Sequence, residues 1–478
     1  MKIGLRVYTF LAIGLLVSMA YGQGYPFSDD FSNPSQTNLQ WGKWWLADTA
    51  VSATCANGVY TINNRSSQTY PEFYHSFTNK VSTFTASCVV TRSSAAIAAG
   101  MWLCLGAFSN PSGYAVELLS DNGNDCIGYV ALYKYDTDTT IFEAEYHRQG
   151  LSDTLKVSKQ GNAFNVFCNG VYLGRCTDNT PAAPGNFALM VPANSTAVFD
   201  DVLFTDQFTQ GSFPVAFVDN FNNGRIEKQW IPRGCSNFSE HDTVLNISAP
   251  PGPVTSGVYC EVPMTIDTFY SMLVVSHRNG DSNSFYGFYL RGPESAGSYP
   301  MALFGISGLR AGGAYLSTGG TVTYPPPGTI RGKEFVNGPG DTTFYQDTIV
   351  VIKTNGSNYY IMYVNGHSID TLTTTDINFP IAGAGIFAGE GGGQTIFADY
   401  FFLGPDANAA GVVNISPRLR TLKNARFSPM TSRYLFNPLG RIVGRKDAYG
   451  RMSGKVFAPG FYITDERKCG IIINKQAQ

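Results

Sequence analysis

Short apolar runs, rich in β-branched and aromatic residues and broken by Gly, Asn, Asp or Ser, fill most of this chain, and one arrangement of them occurs twice. The first copy runs Phe164-Asn-Val-Phe-Cys, then Asn169-Gly170, then Val171-Tyr-Leu; the second runs Tyr360-Ile-Met-Tyr-Val, then Asn365-Gly366, then His367-Ser-Ile. Asn and Gly both tolerate positive φ, so each pair predicts a two-residue type I′ hairpin between strands. The match continues on both sides. Phe27-Ser-Asp-Asp-Phe31 leading to Gln40-Trp41 is answered by Phe217-Val-Asp-Asn-Phe221 leading to Gln229-Trp230. Phe84 to Val90 matches Phe269 to Val275, and Gly113-Tyr114 matches Ser298-Tyr299. Asp153-Thr-Leu matches Asp347-Thr-Ile, and Ala197-Val-Phe-Asp-Asp-Val closes one copy as Thr395-Ile-Phe-Ala-Asp-Tyr closes the other. A repeat this long means two copies of one β domain, not a short solenoid period.

Neither copy shows sustained helical periodicity. The expected fold class is all-β: two antiparallel β-sandwich (jelly-roll) domains plus a small C-terminal β module. The expected boundaries are a signal peptide at 1–22, sandwiches at 23–208 and 213–405, a linker at 406–425 and the module at 426–478. Thr209-Gln-Gly-Ser212 reads as a short polar connector. Pro325-Pro-Pro-Gly328 cannot sit in a central strand, so it reads as a surface loop of the second copy.

Charge and leader bound the setting. Charged residues are only 14% and the net charge is −2, which predicts no broad basic field for nucleic acid. Lys2 and Arg6, an apolar run from Val7 to Met19 and the small residues of Ala20-Tyr-Gly22 read as a secretory signal cleaved before Gln23. That run is short for a membrane span, and no later segment qualifies. The mature chain is therefore expected to be secreted or displayed on the outer cell surface, without a transmembrane span.

Export permits disulfides, but nine Cys leave at least one thiol unpaired within a monomer. If Asn169-Gly170 is the turn, Cys168 faces Val171, and Cys176 lies too far along the strand to reach it. A hairpin centred near Ala96 would set Cys88 opposite Cys104. Cys88 also aligns with Leu273 of the second copy, so a buried free thiol fits equally well.

The opening Asp29 to Trp41, its counterpart Asp219 to Trp230, the strand at Tyr114, the Asn-Gly hairpin and the closing Phe-Asp-Asp-Val together resemble the concanavalin A-like lectin/glucanase superfamily, near its laminin-G-like members. The resemblance implies two curved sheets and glycans bound on the concave face or the loop rim. The tail differs: it is basic, and it carries Tyr434-Leu-Phe-Asn-Pro-Leu-Gly-Arg-Ile-Val443, then Ala458-Pro-Gly-Phe-Tyr-Ile463 and a final apolar strand. It resembles the C-terminal sorting modules of bacterial type IX secretion. That implies an export machinery as partner, then release or attachment at the surface.

Glycoside hydrolysis needs paired carboxylates. The Glu-x-Asp-x-x-Glu strand of the superfamily's glucanases is not found; Glu143 and Glu145 are the nearest pair and would share one strand face. Oxygen-rich clusters that calcium would accept are Asp121 to Asp125, Asp136-Thr-Asp138, and the start and end carboxylates Asp30 and Asp201. Asx turns account for the first two equally well. Flat rings suit sugar faces. The candidates are Trp44, Trp45, Trp102, Tyr114 and Tyr133 in the first copy, and Tyr286, Tyr289 and Tyr299 in the second. Core packing is the competing role for each, and Trp102 is expected on the same strand face as Cys104. The favoured expectation is a non-catalytic protein that binds polysaccharide or a cell-surface glycan. Its rivals are a glycoside hydrolase with an atypical carboxylate site and an adhesive surface protein with no sugar site.

Overall fold

The computed structural model describes residues 25–405 apart from short segments, the longest 324–343, and beyond them only five short strands between Tyr434 and Ile472. The proposed leader lies outside the described residues. The chain divides into two compact units, Met1–Phe213 and Pro214–Gln478.

Unit 1 begins with strands β1 (Phe27–Asp29), β2 (Gly42–Lys43), β3 (Val51–Ala56), β4 (Val59–Asn64) and β5 (Tyr70–His75). It continues with β6 (Phe84–Arg92), β7 (Ala99–Leu105), β8 (Tyr114–Ser120), β9 (Ile127–Lys134) and β10 (Thr139–His147). It ends with β11 (Ser152–Gln160), β12 (Ala163–Cys168), β13 (Val171–Thr177), β14 (Asn186–Val191) and β15 (Ser195–Thr205). An eight-stranded sheet runs β13-β12-β11-β6-β15-β4-β3, with β1 also on β15, and a seven-stranded sheet runs β10-β9-β8-β7-β14-β5-β2. Neighbours are antiparallel. Alternate residues face inward: Ala86, Cys88 and Val90 from one sheet meet Val116, Leu118, Val130 and Leu132 from the other in a single buried core.

Unit 2 repeats both strand orders. Its eight-stranded sheet centres on Thr395–Gly404, Phe269–Arg278 and Phe344–Lys353, and its seven-stranded sheet on Gly383–Gly389, Phe285–Arg291 and Met301–Ser307. The repeated opening motif has a physical basis in each unit. Asp29 accepts from the Phe31 amide at 2.8 Å and from the Trp41 indole N–H at 2.9 Å. Asp219 accepts from the Phe221 amide at 2.8 Å and from the Trp230 indole at 2.7 Å. In both, the carboxylate ties a positive-φ Phe (53° and 48°) to a buried Trp and so anchors the entering chain. The repeated closing Asp is a bulge: the register of β15 against β6 shifts between Asp200 and Leu203, with Asp201 at φ 47°. The strands of the tail make a separate five-stranded sheet.

Several local expectations resolve clearly. Asn169 and Gly170 take φ of 53° and 82°, and Cys168 sits opposite Val171. Asn365-Gly366 and Pro325 to Gly328 lie outside the described residues, although Val364 pairs with His367 across the first. The hairpin expected near Ala96 is absent. β6 pairs with β11 and β15, β7 with β8 and β14, so the chain changes sheets between them. Cys88 and Cys104 are free and buried, and burial pushes their thiols up to about 12 and about 11. Cys168 and Cys176 are in no disulfide, whereas Cys126 is disulfide-bonded.

A short helix, α1 (Pro34–Gln40), interrupts the β pattern; Asn33 caps it and Pro34 opens it. The expected connector is not a free linker. Thr209 N–H donates to Ser158 Oγ at 2.7 Å, Thr85 Oγ1 donates to the Gln207 carbonyl, and Asn165 Nδ2 donates to the Thr209 carbonyl. Phe213 then packs on Tyr172. The segment is thus laid across the outer face of the eight-stranded sheet of unit 1. No helix among the described residues is long and apolar enough to cross a membrane.

Candidate functional site

The outer face of the seven-stranded sheet of unit 1 carries the side chains that the core does not use. On β8, Tyr114, Val116 and Leu118 enter the core, so Ala115, Glu117 and Leu119 point outward. Pairing extends these positions sideways in rows. Glu117 lies beside Ala131 of β9 and Gly100 of β7, and Ala131 lies beside Glu143 of β10. The next row joins Thr140, Tyr133, Ala115, Trp102 and Ala188. On the other side, Leu119 meets Tyr129, which meets Glu145. Two rows therefore bring carboxylates and a tyrosine together, and the third is apolar and aromatic.

Glu117 is the distinctive group. It is half-buried, no described residue donates a hydrogen bond to it, and burial alone raises its pKa above the usual carboxylate range. Glu143 is exposed, and Glu145 is half-buried and accepts from the Tyr129 hydroxyl at 3.2 Å. Glu117 and Glu143 stand two strands apart, roughly 10 Å between backbones at ordinary strand spacing. A carboxyl held toward its protonated form can donate to a hydroxyl or a glycosidic oxygen, whereas an ionised carboxylate can only accept.

The expected ring platform is rearranged. Cys104 has φ 54°, and the register of β7 against β14 shifts beside it, which puts an extra residue into β7. Cys104 therefore joins Leu103 in the core, and Trp102 faces the other way, correcting the shared face expected from strict alternation. Trp102 packs with Ala115, Ala188 and Met190, with Tyr74 and Tyr133 against them. Its ring is 1% exposed and its indole N–H donates to the Ser112 carbonyl, so Trp102 is a brace and not an open platform. Tyr135, in the turn after β9, covers it at 4.8 Å between ring centroids and is 36% exposed. Asp136 fixes that turn by accepting from the Gly113 amide on the preceding hairpin, and Asp138 closes it in the left-handed region.

The remaining candidates separate. Tyr114 is fully buried in the core, where its hydroxyl donates to Asp178 at 2.7 Å and accepts from the Ala182 amide, so it is no sugar platform. Tyr286 is likewise a core residue of unit 2. Tyr289 does lie on the outer face of its sheet, but it is buried with Tyr259, Phe285 and Phe387, and its hydroxyl donates to Glu261. Glu261 is fully buried between Arg233 and Arg291, whose charges hold its pKa down against burial. This face of unit 2 is thus filled by its own rings. Trp44, Trp45, Tyr299, Asp121 and Asp125 lie outside the described residues. Asp30 is exposed and is bonded within its own turn by Ser32, which lowers its pKa. Asp201 is exposed in the bulge; together with Asp30 it adds to the burial that raises the neighbouring Asp200. Among the described residues no three His, Cys, Asp or Glu side chains are grouped to hold a metal. Sequence reasoning had passed over Glu117 and Tyr135; the signal for the first was a carboxylate placed inside an otherwise apolar strand.

No family model matches the chain, and no curated protein matches it. Among solved structures, a carbohydrate-binding module, CBM66, from Bacillus subtilis is 18% identical over 34% of this chain and 94% of that one, with a TM-score of 0.28. A β-glucanase of Bacillus licheniformis is 12% identical over 39% of this chain and 100% of that one, with a TM-score of 0.30. A Bacteroides ovatus protein named as xyloglucan PUL GH43B is 12% identical over 74% of this chain and 97% of that one, with a TM-score of 0.32.

Proposed function

We propose that the chain is a glycan-binding protein and that unit 1 takes its ligand on the outer face of the seven-stranded sheet. The observation that carries the reading is the alternation of Glu117, Tyr129, Tyr133, Glu143 and Glu145 over three adjacent strands. Sugar hydroxyls want acceptors and donors at close spacing, and sugar C–H faces want rings; this face supplies both. The basic tail and the signal-like leader support a bacterial protein that is exported and kept at or released from the cell surface, with the tail engaging the export machinery. The test is a panel of polysaccharides in affinity gels with the full mature chain. Tyr129→Ala/Tyr133→Ala should abolish retardation while the melting temperature stays within a few degrees. Retardation unchanged in that variant would remove the face from the site.

A second reading is favoured by one feature: Glu117, to which no described residue donates a hydrogen bond, lies two strands from the exposed Glu143. Inverting glycosidases hold their acid and base about 6.5–9.5 Å apart, a span that two long side chains on alternate strands can reach. Release of reducing ends by the wild type, and its loss in Glu117→Gln, would make the protein a hydrolase. Binding without release would keep it a lectin-like module.

A further inference from the structure

Resting on that reading of the face, we propose that Tyr135 is the sugar-stacking residue of the site and that the site takes neutral glycans and rejects acidic ones. The first half follows from what braces the ring. Tyr135 sits in the tight turn between β9 and β10, fixed by the Tyr135 amide donating to the Gly113 carbonyl and by Asp136 on the Gly113 amide. One side of the ring meets Trp102, tilted at 50°, and Trp102 is itself immobilised by its bond to Ser112. A ring so held loses little conformational entropy when a pyranose settles on its free side. Tyr133, in the adjacent strand position toward Glu117, is more covered, so Tyr135 presents the accessible aromatic surface of this row.

The second half follows from the charges around that ring. Asp136 and Asp138 flank it in the turn, and Glu117, Glu143 and Glu145 lie along the same face. The adjacent Lys134 does not offset them: its ammonium is turned inward onto Asp178 at 2.9 Å and onto Thr180. A uronic acid or sulfated chain lying on Tyr135 would place its first anion within a Debye length, about 8–10 Å, of Asp136 and Asp138, and its further units, if they run along the strands, would meet Glu117 and Glu143 at about 13 Å and Glu145 at about 20 Å from the ring. A neutral pyranose would instead use them as acceptors for its hydroxyls.

The experiment is calorimetric titration of the full mature chain with neutral β-1,4-linked hexasaccharides of glucose, xylose and mannose, and with hexagalacturonate. At least one neutral hexasaccharide should bind, and Tyr135→Ala should weaken it about tenfold, in line with the loss of one stacked ring. Tyr135→Phe should stay within about threefold of the wild type, because the ring and not the hydroxyl is used. Hexagalacturonate should bind at least tenfold more weakly than the best neutral chain, with the gap narrowing in 1 M NaCl as repulsion is screened. Tyr135→Leu, which keeps bulk over Trp102, serves if Tyr135→Ala lowers the melting temperature, and it too must lose the stacking. Equal affinity in Tyr135→Ala or Tyr135→Leu, with loss in Tyr129→Ala/Tyr133→Ala, would remove Tyr135 and leave the glycan face standing. Hexagalacturonate binding as tightly as the neutral chains would overturn the charge rule. No binding of any neutral chain would remove the glycan reading itself.

Discussion

At the scale of single residues, the account turns on groups whose burial decides their protonation. His75 is fully buried, stacked on Phe27 at 3.8 Å, with Nδ1 donating to the Gln40 carbonyl. Burial pushes its pKa down to about 4, so it stays neutral in the folded chain. The unfolded chain binds the extra proton from about pH 6.5 downward. The stability that neutral His75 supplies is therefore full above about pH 6.5 and is lost as pH falls through about 4, a difference of roughly 3 kcal/mol. Urea unfolding of the wild type and His75→Phe at pH 7.5, 5.5 and 4.5 should show the variant with the flatter profile; parallel profiles would mean that His75 protonates freely when folded. Glu117 has the opposite sign. Its raised pKa means that the charge costs stability above the usual carboxylate range, so Glu117→Gln should be more stable than the wild type at pH 7 and equal to it at pH 3. The same variant should bind glycan less well. Greater stability with weaker binding is the pattern of a group kept for function.

At the scale of elements, much of unit 1 could be read from the chain, and the failures have local causes. The Asn169-Gly170 turn was legible because two adjacent positive-φ residues admit few alternatives. The paired Asp-to-Trp openings were legible as a repeat, although only the structure explains them, through carboxylate-to-indole bonds. Trp102 was misplaced because alternation assumes an unbroken strand, and the left-handed Cys104 adds one residue to β7. Tyr114 is ambiguous in the sequence because a tyrosine at a strand start suits a surface or a core, and Asp178 and Ala182 satisfy its hydroxyl in the core. The Cys88–Cys104 hairpin failed because consecutive strands joined by a short segment can belong to different sheets. Close strand approach yields a prediction here. A Cβ on Gly100 would lie 1.9 Å from the Val116 carbonyl oxygen, a backbone atom that cannot rotate away. Gly100→Ala should cost about 1–3 kcal/mol, or prevent folding, and its melting temperature measures which. A melting temperature equal to the wild type would show that β7 and β8 sit further apart.

At the scale of the whole molecule, duplication supplied two copies of one strand order, and the two outer faces then diverged. Unit 2 fills its face with Tyr259, Phe285, Tyr289 and Phe387 and locks Glu261 between two arginines, whereas unit 1 leaves carboxylates and tyrosines at the surface of β8, β9 and β10. The segment after β15 belongs to unit 1 as structure, because Ser158 and Asn165 are fully buried where it lies. Ser158→Ala strands the Thr209 amide and should cost about 1–3 kcal/mol in chemical unfolding of the full chain; no loss would mean that the segment is undocked in solution. Location of the ligand is the central claim, and hydrogen–deuterium exchange of the mature chain, with and without a saturating neutral hexasaccharide, tests it most directly. The turn at Tyr135 to Asp138 and the edge strand Thr139 to His147 should slow by at least threefold, with unit 2 unchanged. Protection confined to unit 2, with the Tyr135 turn exchanging as in the free protein, would contradict the account.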